Sequence, residues 1–339
     1  MVKSSKKKLG ATALSVETEP MEARLAETLP EGEDWSYERK WDGFRCLVFK
    51  NGTTVDLRAK SGKPLGRYFP EVIAFIASVD VEQFVIDGEM VIERDGHLSF
   101  DALQMRLHPA ESRIQKLSKE TPARFVAFDI LMNGDGKVLM ESPLAERRQE
   151  LQAFGERIGR SKAFQLSPPT LKLSEAAQWL SDSGGDTDGV VCKRLSDHYQ
   201  PGERAMVKVK RIRTADCVVG GFRYEKDSKL VGSLLLGLYN EEGKLDHVGF
   251  TSAISDSDRA QMTAKLEALQ QAPGFTGKAP GGPSRWSTER STEWVPLRPE
   301  LVVEVKYDQI TGRRFRHGTK IVRWRPDKKP TQCKFEQIA

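Results

Sequence analysis

Two textures of hydrophobic patterning divide the chain. Up to about residue 211, short β-favouring runs are interspersed with helical stretches. Runs 44–49 and 53–57 flank Asn51-Gly52, a dipeptide whose backbone suits a two-residue turn, so this segment is predicted as a hairpin. Run 84–92 ends in Asp95-Gly96, and run 124–132 ends in Asn133-Gly134-Asp135-Gly136; both are predicted strands. Helices are predicted over 70–79, 100–107, 144–158 and 174–180. In the third of these, Leu144, Arg147, Arg148, Leu151 and Phe154 form a partial apolar stripe. Strands and helices without strict βαβ alternation predict an α+β domain of mainly antiparallel sheets with flanking helices.

From about Thr214 the pattern becomes all-β. Strand candidates are 217–222, 232–239, 247–251, 301–307 and 314–324, with one helical stretch at 257–270 and a Gly/Pro/Ser-rich loop at 272–287. Five strands with a helix after the third predict a small OB-fold barrel. Arg211 to Thr214 is then the hinge. The expected division is a basic tail at 1–18, one domain at 19–211 and a second at 212–339. The tail carries Lys3 and Ser4-Ser5-Lys6-Lys7-Lys8, which read as a solvated terminus; a phosphate-contacting arm is the alternative.

Composition changes this picture little. The 339 residues suffice for two ordinary domains, and a net charge of +5 suits a polyanionic partner without requiring one. The cysteines, at 46, 192, 217 and 333, never approach Cys-x-x-Cys spacing, which argues against a zinc module or a disulfide framework. There is no bilayer-length apolar run and no signal-peptide core, so the cytoplasm is the expected location.

The candidate chemistry centres on Lys40, within Glu38-Arg39-Lys40-Trp41-Asp42-Gly43-Phe44-Arg45. Asp-Gly favours a tight turn, which would hold the lysine rigidly at a cleft mouth. Lysine amines titrate near ~10.4, so a nucleophilic lysine needs a desolvated or cation-flanked site; Arg39 and Arg45 are the flanking candidates. By itself, Lys-x-Asp-Gly is more often a surface lysine before a hairpin.

The order of further segments decides otherwise. Asp87-Gly88-Glu89, Phe128-Asp129, Asp188-Gly189-Val190-Val191-Cys192-Lys193, Lys208-Val209-Lys210 and Arg325-Pro326-Asp327-Lys328 follow in turn. With the Lys40 segment they resemble motifs I, III, IIIa, IV, V and VI of the covalent nucleotidyltransferases, the superfamily of ATP-dependent DNA ligases, RNA ligases and mRNA capping enzymes. The chain resembles in particular the short bacterial ATP-dependent DNA ligases, those of the ligase C type and the ligase portion of ligase D.

That resemblance implies an adenylation domain followed by an OB-fold barrel, with ATP and Mg²⁺ (or Mn²⁺) as cofactors. It implies that the Lys40 amine attacks the α-phosphorus of ATP, expels pyrophosphate and carries AMP. The AMP passes to a 5′-phosphate at a nick in duplex DNA, and the 3′-hydroxyl displaces it. Glu38 is assigned to the adenine amine, Arg45 and Glu89 to the ribose, and Phe128 to stacking on adenine. Asp188 is the metal carboxylate, with Glu89 as a second. Many relatives carry Glu at the position of Asp188. Lys193, Lys208 and Lys210 are assigned to the nucleotide; the last two share one strand face and suit the α-phosphate. Lys60 stands where many relatives have arginine, offering a point charge near the nick phosphate. Arg325, Asp327 and Lys328 orient pyrophosphate through domain closure. The cation-rich stretches 313–317 and 323–325 imply a phosphate-tracking surface. A monomer is expected, with Ku or a repair polymerase as partner and association with the bacterial nucleoid.

Competing readings differ in substrate. NAD-dependent ligases need an additional N-terminal domain, whereas only 39 residues precede Lys40. Capping enzymes take GTP, and RNA ligases often lack the barrel with its Arg-Pro-Asp-Lys. A non-enzymatic DNA-binding scaffold does not explain why Lys40, Glu89 and Lys208 are all present.

Overall fold

A computed structural model describes residues 14–159, 161–181, 187–281 and 293–338. Most of the basic tail, including its four lysines, lies outside the described residues. Contacts separate the chain into two units, Met1–Arg211 and Ile212–Ala339.

The first unit contributes strands β1 (Ala23–Ala26), β2 (Trp35–Trp41), β3 (Phe44–Asn51), β4 (Thr54–Ala59), β5 (Gln83–Arg94), β6 (His97–Leu98), β7 (Ala123–Met132), β8 (Phe164–Leu166), β9 (Pro169–Thr170), β10 (Thr187–Arg194) and β11 (Met206–Lys210). Its helices are α1 (Pro70–Ser78), α2 (Phe100–Met105), α3 (Glu111–Glu120), α4 (Leu144–Ile158) and α5 (Leu173–Ser181). The strands form two sheets. One runs β1-β11-β10-β2-β9; the other runs β4-β3-β5-β7-β8, with β6 beside β5. All pairings are antiparallel except β1 with β11 and β7 with β8.

Local chemistry explains most of these elements. Asn51-Gly52 turns the β3–β4 hairpin, with Gly52 at φ +57°. Pro70 opens α1, where its fixed φ suits the first helical turn and its missing N–H costs nothing. Helix α4 buries Leu144, Arg147, Leu151 and Phe154. The arginine is tolerated on that face because the carboxylate of Asp129 receives its Nε at 2.8 Å and its Nη2 at 3.1 Å, while the carbonyls of Ser142 and Asp197 receive its Nη1. Helix α3 is absent from the sequence reading. Its buried residues are only Ile114 and Ser118, too weak a stripe to stand out.

The second unit contributes β12 (Arg213–Tyr224), β13 (Val231–Tyr239), β14 (Leu245–Thr251), α6 (Asp256–Glu267), β15 (Val295–Pro296), β16 (Val302–Tyr307), β17 (Ile310–Thr311), β18 (Arg314–Phe315) and β19 (Lys320–Trp324). The main sheet runs β14-β13-β12-β16-β19, all antiparallel. Its outer strands approach at one parallel bridge between Thr251 and Thr319, where Thr251 Oγ1 donates to the Thr319 carbonyl at 2.8 Å. A single bridge curls the sheet without making a closed ring of paired strands among the described residues. The predicted strand at 314–324 is two pieces. Gly312 and Arg313, at φ +56° and +63°, turn a small separate ribbon of β17 and β18.

Candidate active site

The two sheets of the first unit face each other across a cleft lined by Met21, Glu38, Lys40, Arg45, Lys60, Glu89, Phe128, Lys193 and Lys208, among others. It holds about 770 Å³ of space unfilled by protein atoms, open solvent included.

Lys40 is near the end of β2, and β3 follows after Asp42-Gly43. This is not the hairpin turn that Asp-Gly suggests. Strand β2 belongs to one sheet and β3 to the other, so the dipeptide carries the chain across the cleft floor. Gly43 is required by crowding, not by a positive φ: a Cβ there would lie 2.1 Å from the Met90 carbonyl oxygen on β5.

Alternation along β2 puts Glu38 and Lys40 on one face and Arg39 on the other. Arg39 accordingly stacks on Trp179, 5.1 Å from its ring centre, and does not flank the Lys40 amine. Arg45 is also engaged elsewhere. Its Nε and Nη2 reach both oxygens of buried Asp87 at 2.6 and 2.7 Å, and its guanidinium lies 4.4 Å from the Phe128 ring centre. The ion partner of Lys40 is Asp188, whose Oδ2 lies 2.8 Å from Nζ.

A β-bulge makes that contact possible. Strict alternation from Lys193 and Val191 would turn Asp188 to the opposite face of β10. The register against β2 shifts between Thr187 and Val190, which inserts one extra residue and re-aims Asp188. Gly189 occupies the bulge at φ +144°, and a Cβ there would meet the Val209 carbonyl oxygen at 2.1 Å.

Glu38 is buried, with Lys193 Nζ at 2.7 Å and Arg148 Nη1 at 3.6 Å from its Oε1. That oxygen has charge neutralisation but no well-aligned hydrogen bond among the described residues. Lys193 Nζ also lies 4.6 Å from the Phe128 ring centre. Glu89 is directly across from Arg45 in the β3–β5 register. Burial pushes its carboxyl up to about 7 against the pull of Arg45 and Lys40. Lys208 sits across from Val191. Burial, then the charges of Lys40, Lys210 and Lys60, lowers its ammonium below the usual lysine range. Lys60 is 59% exposed and pairs with Glu22 at 2.8 Å.

Sequence reasoning missed several supports. Tyr199 donates to Asp87 at 2.6 Å and receives the Met21 N–H at 2.8 Å, tying the segment before β1 to the carboxylate beneath Arg45. Arg148 donates to the carbonyls of Phe128 and Ser167. A buried Asp in the apolar strand 84–92 was the available signal for Asp87; nothing marked Tyr199.

Arg325, Asp327 and Lys328 belong to the second unit. Arg325 Nη2 pairs with Asp327 at 2.8 Å, which holds the Asp327 carboxyl down at about 2. Other cations of this region are tied locally: Arg323 to Glu304 at 2.7 Å, Arg314 to His247 at 3.0 Å, and Arg313 over the Phe335 ring at 4.2 Å.

Residues 15–210 match the model of the ATP dependent DNA ligase domain, and 227–328 match the ATP dependent DNA ligase C terminal region. The chain belongs to the ATP-dependent DNA ligases. DNA ligase C1 of Mycolicibacterium smegmatis is 43% identical over 331 residues, which are 94% of this chain and 93% of that protein. The multifunctional non-homologous end joining DNA repair protein LigD of Mycobacterium tuberculosis is 30% identical over 309 residues, 88% of this chain and 37% of that longer protein. A Lig E DNA ligase shares the fold at a TM-score of 0.56 and 18% identity, over 90% of this chain and 99% of that one. The ligase uses ATP, and its substrate is nicked DNA. Among the described residues, no helix is long and apolar enough to cross a membrane.

Proposed function

We propose that this ligase seals 5′-phosphate/3′-hydroxyl nicks through AMP carried on Lys40. The observation that carries the reading is the Lys40–Asp188 pair in a cleft whose walls present Glu38, Glu89, Phe128, Lys193 and Lys208. The Lys40 nitrogen, once deprotonated, forms a bond to the α-phosphorus while the bond to pyrophosphate breaks. Glu38, with an unaligned buried oxygen, suits the adenine amine; Phe128 offers its ring to the base. The Glu89 carboxylate receives no hydrogen bond from the described residues and suits the ribose hydroxyls, with Arg45 beside it. Lys208 and Lys210 oppose the α-phosphate charge, and Lys60 serves the nick phosphate.

No group of three metal-ligating side chains occurs among the described residues. Asp188 and Glu89 fit Mg²⁺ nonetheless, because this ion takes one or two carboxylates and completes its shell with water and phosphate oxygens. When bound, it neutralises charge on those oxygens. Arg325, Asp327 and Lys328 are assigned to pyrophosphate, which concerns only the step that consumes ATP.

We place the enzyme in bacterial DNA repair at the nucleoid, as a monomer, with Ku or a repair polymerase as partner; similarity to the end-joining protein LigD supports that pathway. Incubation of wild type and Lys40→Ala with α-labelled ATP tests the chemistry. Wild type should acquire a covalent label that survives denaturation and alkali but is released by acid, as a P–N bond is, and the variant none; a labelled variant would remove Lys40 from the mechanism.

A further inference from the structure

Asp216 lies on β12, in the apolar run Ala215-Asp216-Cys217-Val218-Val219, and is only 8% exposed. A carboxylate in such a strand needs partners. It has two, both from the Arg325–Lys328 segment that follows β19. Arg325 Nη1 donates to its Oδ1 at 2.9 Å and Oδ2 at 3.2 Å, and Lys328 Nζ donates to Oδ2 at 2.6 Å. Strand β16 runs between β12 and β19, so both cations reach across one strand to the same carboxylate. The Asp216 backbone is pinned as well: its N–H donates to Gln337 Oε1 at 3.0 Å, and Gln337 Nε2 donates to its carbonyl at 3.2 Å.

The result is a fixed charge array. Asp327 takes the Nε and Nη2 side of Arg325, and Asp216 takes the Nη1 side. Without Asp216, two long flexible cations would repel each other and sample many rotamers. With it, Arg325 is clamped between two carboxylates. Lys328 commits one of its three donors to Asp216, and its side chain is 23% exposed.

We infer that Asp216 is a positioning residue for self-adenylation, holding Arg325 and Lys328 in the orientation in which they meet the departing pyrophosphate. This rests on the role proposed above for those two residues. It is specific to one step, because no pyrophosphate remains once AMP has left ATP.

The test measures Lys40 self-adenylation and, separately, sealing of a pre-adenylated nick, for full-length wild type, Asp216→Asn, Asp216→Glu and Lys328→Ala. Asp216→Asn keeps the shape and removes the charge. It should lower kcat for self-adenylation by ~10–100-fold, the scale set by misplacing a charge that acts on a leaving group. The KM for ATP should change little, and sealing should stay near wild type. Asp216→Glu should recover part of the lost rate. A normal adenylation rate in Asp216→Asn, with Lys328→Ala slow, would overturn the positioning role alone. Normal rates in both variants would overturn the assignment of the whole segment. Equal loss in both steps would make Asp216 a purely structural clasp and also overturn the inference. If Asp216→Asn does not fold, Asp216→Glu decides: a selective loss of the first step supports the role, and equal effects on both steps reject it.

Discussion

Lys40 Nζ and Asp188 Oδ2 are 2.8 Å apart although 148 residues separate them. The contact exists because the β10 bulge turns Asp188 toward β2. Asp188 thus holds the amine in the cleft, and this is separable by experiment from the metal-binding role proposed for it.

Asp188→Asn keeps a polar group near the amine and removes the charge. Self-adenylation should fall by ~10²-fold or more, in line with the loss of one preorganised electrostatic group. Raising Mg²⁺ should restore part of the rate. A Mg²⁺ dependence identical to wild type would leave Asp188 only the first task.

Glu89 predicts a pH dependence of stability. Its carboxyl titrates near 7 in the fold against 4.5 ordinarily. Between these values the folded chain binds more protons than the unfolded one, so this group's contribution to stability falls as pH rises. Glu89→Gln should remove that fall. Relative to wild type, the variant should gain ~1–3 kcal/mol on going from about pH 4.5 to 7, less where water reaches the group. Urea melts across that range are the check, and a difference that does not vary with pH would refute it.

Asp129 and Arg147 are each 1% exposed and joined by two hydrogen bonds. Asp129→Ala would leave a buried guanidinium unpaired and should cost ~3–5 kcal/mol. A thermal or urea melt within about 1 kcal/mol of wild type would show that water, or the Tyr199 ring 5.7 Å from the Arg147 guanidinium, compensates.

Removal of residues 1–18 should weaken nick binding mainly at low salt, because Lys3, Lys6, Lys7 and Lys8 would no longer displace counterions from DNA. Lys40 adenylation should not change. Plots of binding constant against salt concentration decide the matter; coincident slopes would make the tail an idle terminus.

Much of the fold was legible in the sequence. The β3–β4 hairpin and the long strands β5 and β7 announce themselves through turn dipeptides and apolar runs, because these are local signals. The ordered Lys, Glu, Phe, Asp and Lys segments marked a candidate site through their resemblance to one superfamily, and the fold brings Lys40, Glu89, Phe128 and Lys208 to one cleft. What the sequence could not supply was the set of partners. Arg39 and Arg45 are nearest to Lys40 in the chain, yet alternation and Asp87 draw them away; Asp188 takes their place only through a bulge set by pairing with β2. Tyr199 carries no local mark, and Asp216 shows only as a carboxylate in an apolar run, since their meaning lies in cations and carboxylates that arrive from distant strands. Sequence determines which groups are available and their local turns. Tertiary structure decides which charges become neighbours, because burial makes each unpaired charge costly enough to select one arrangement.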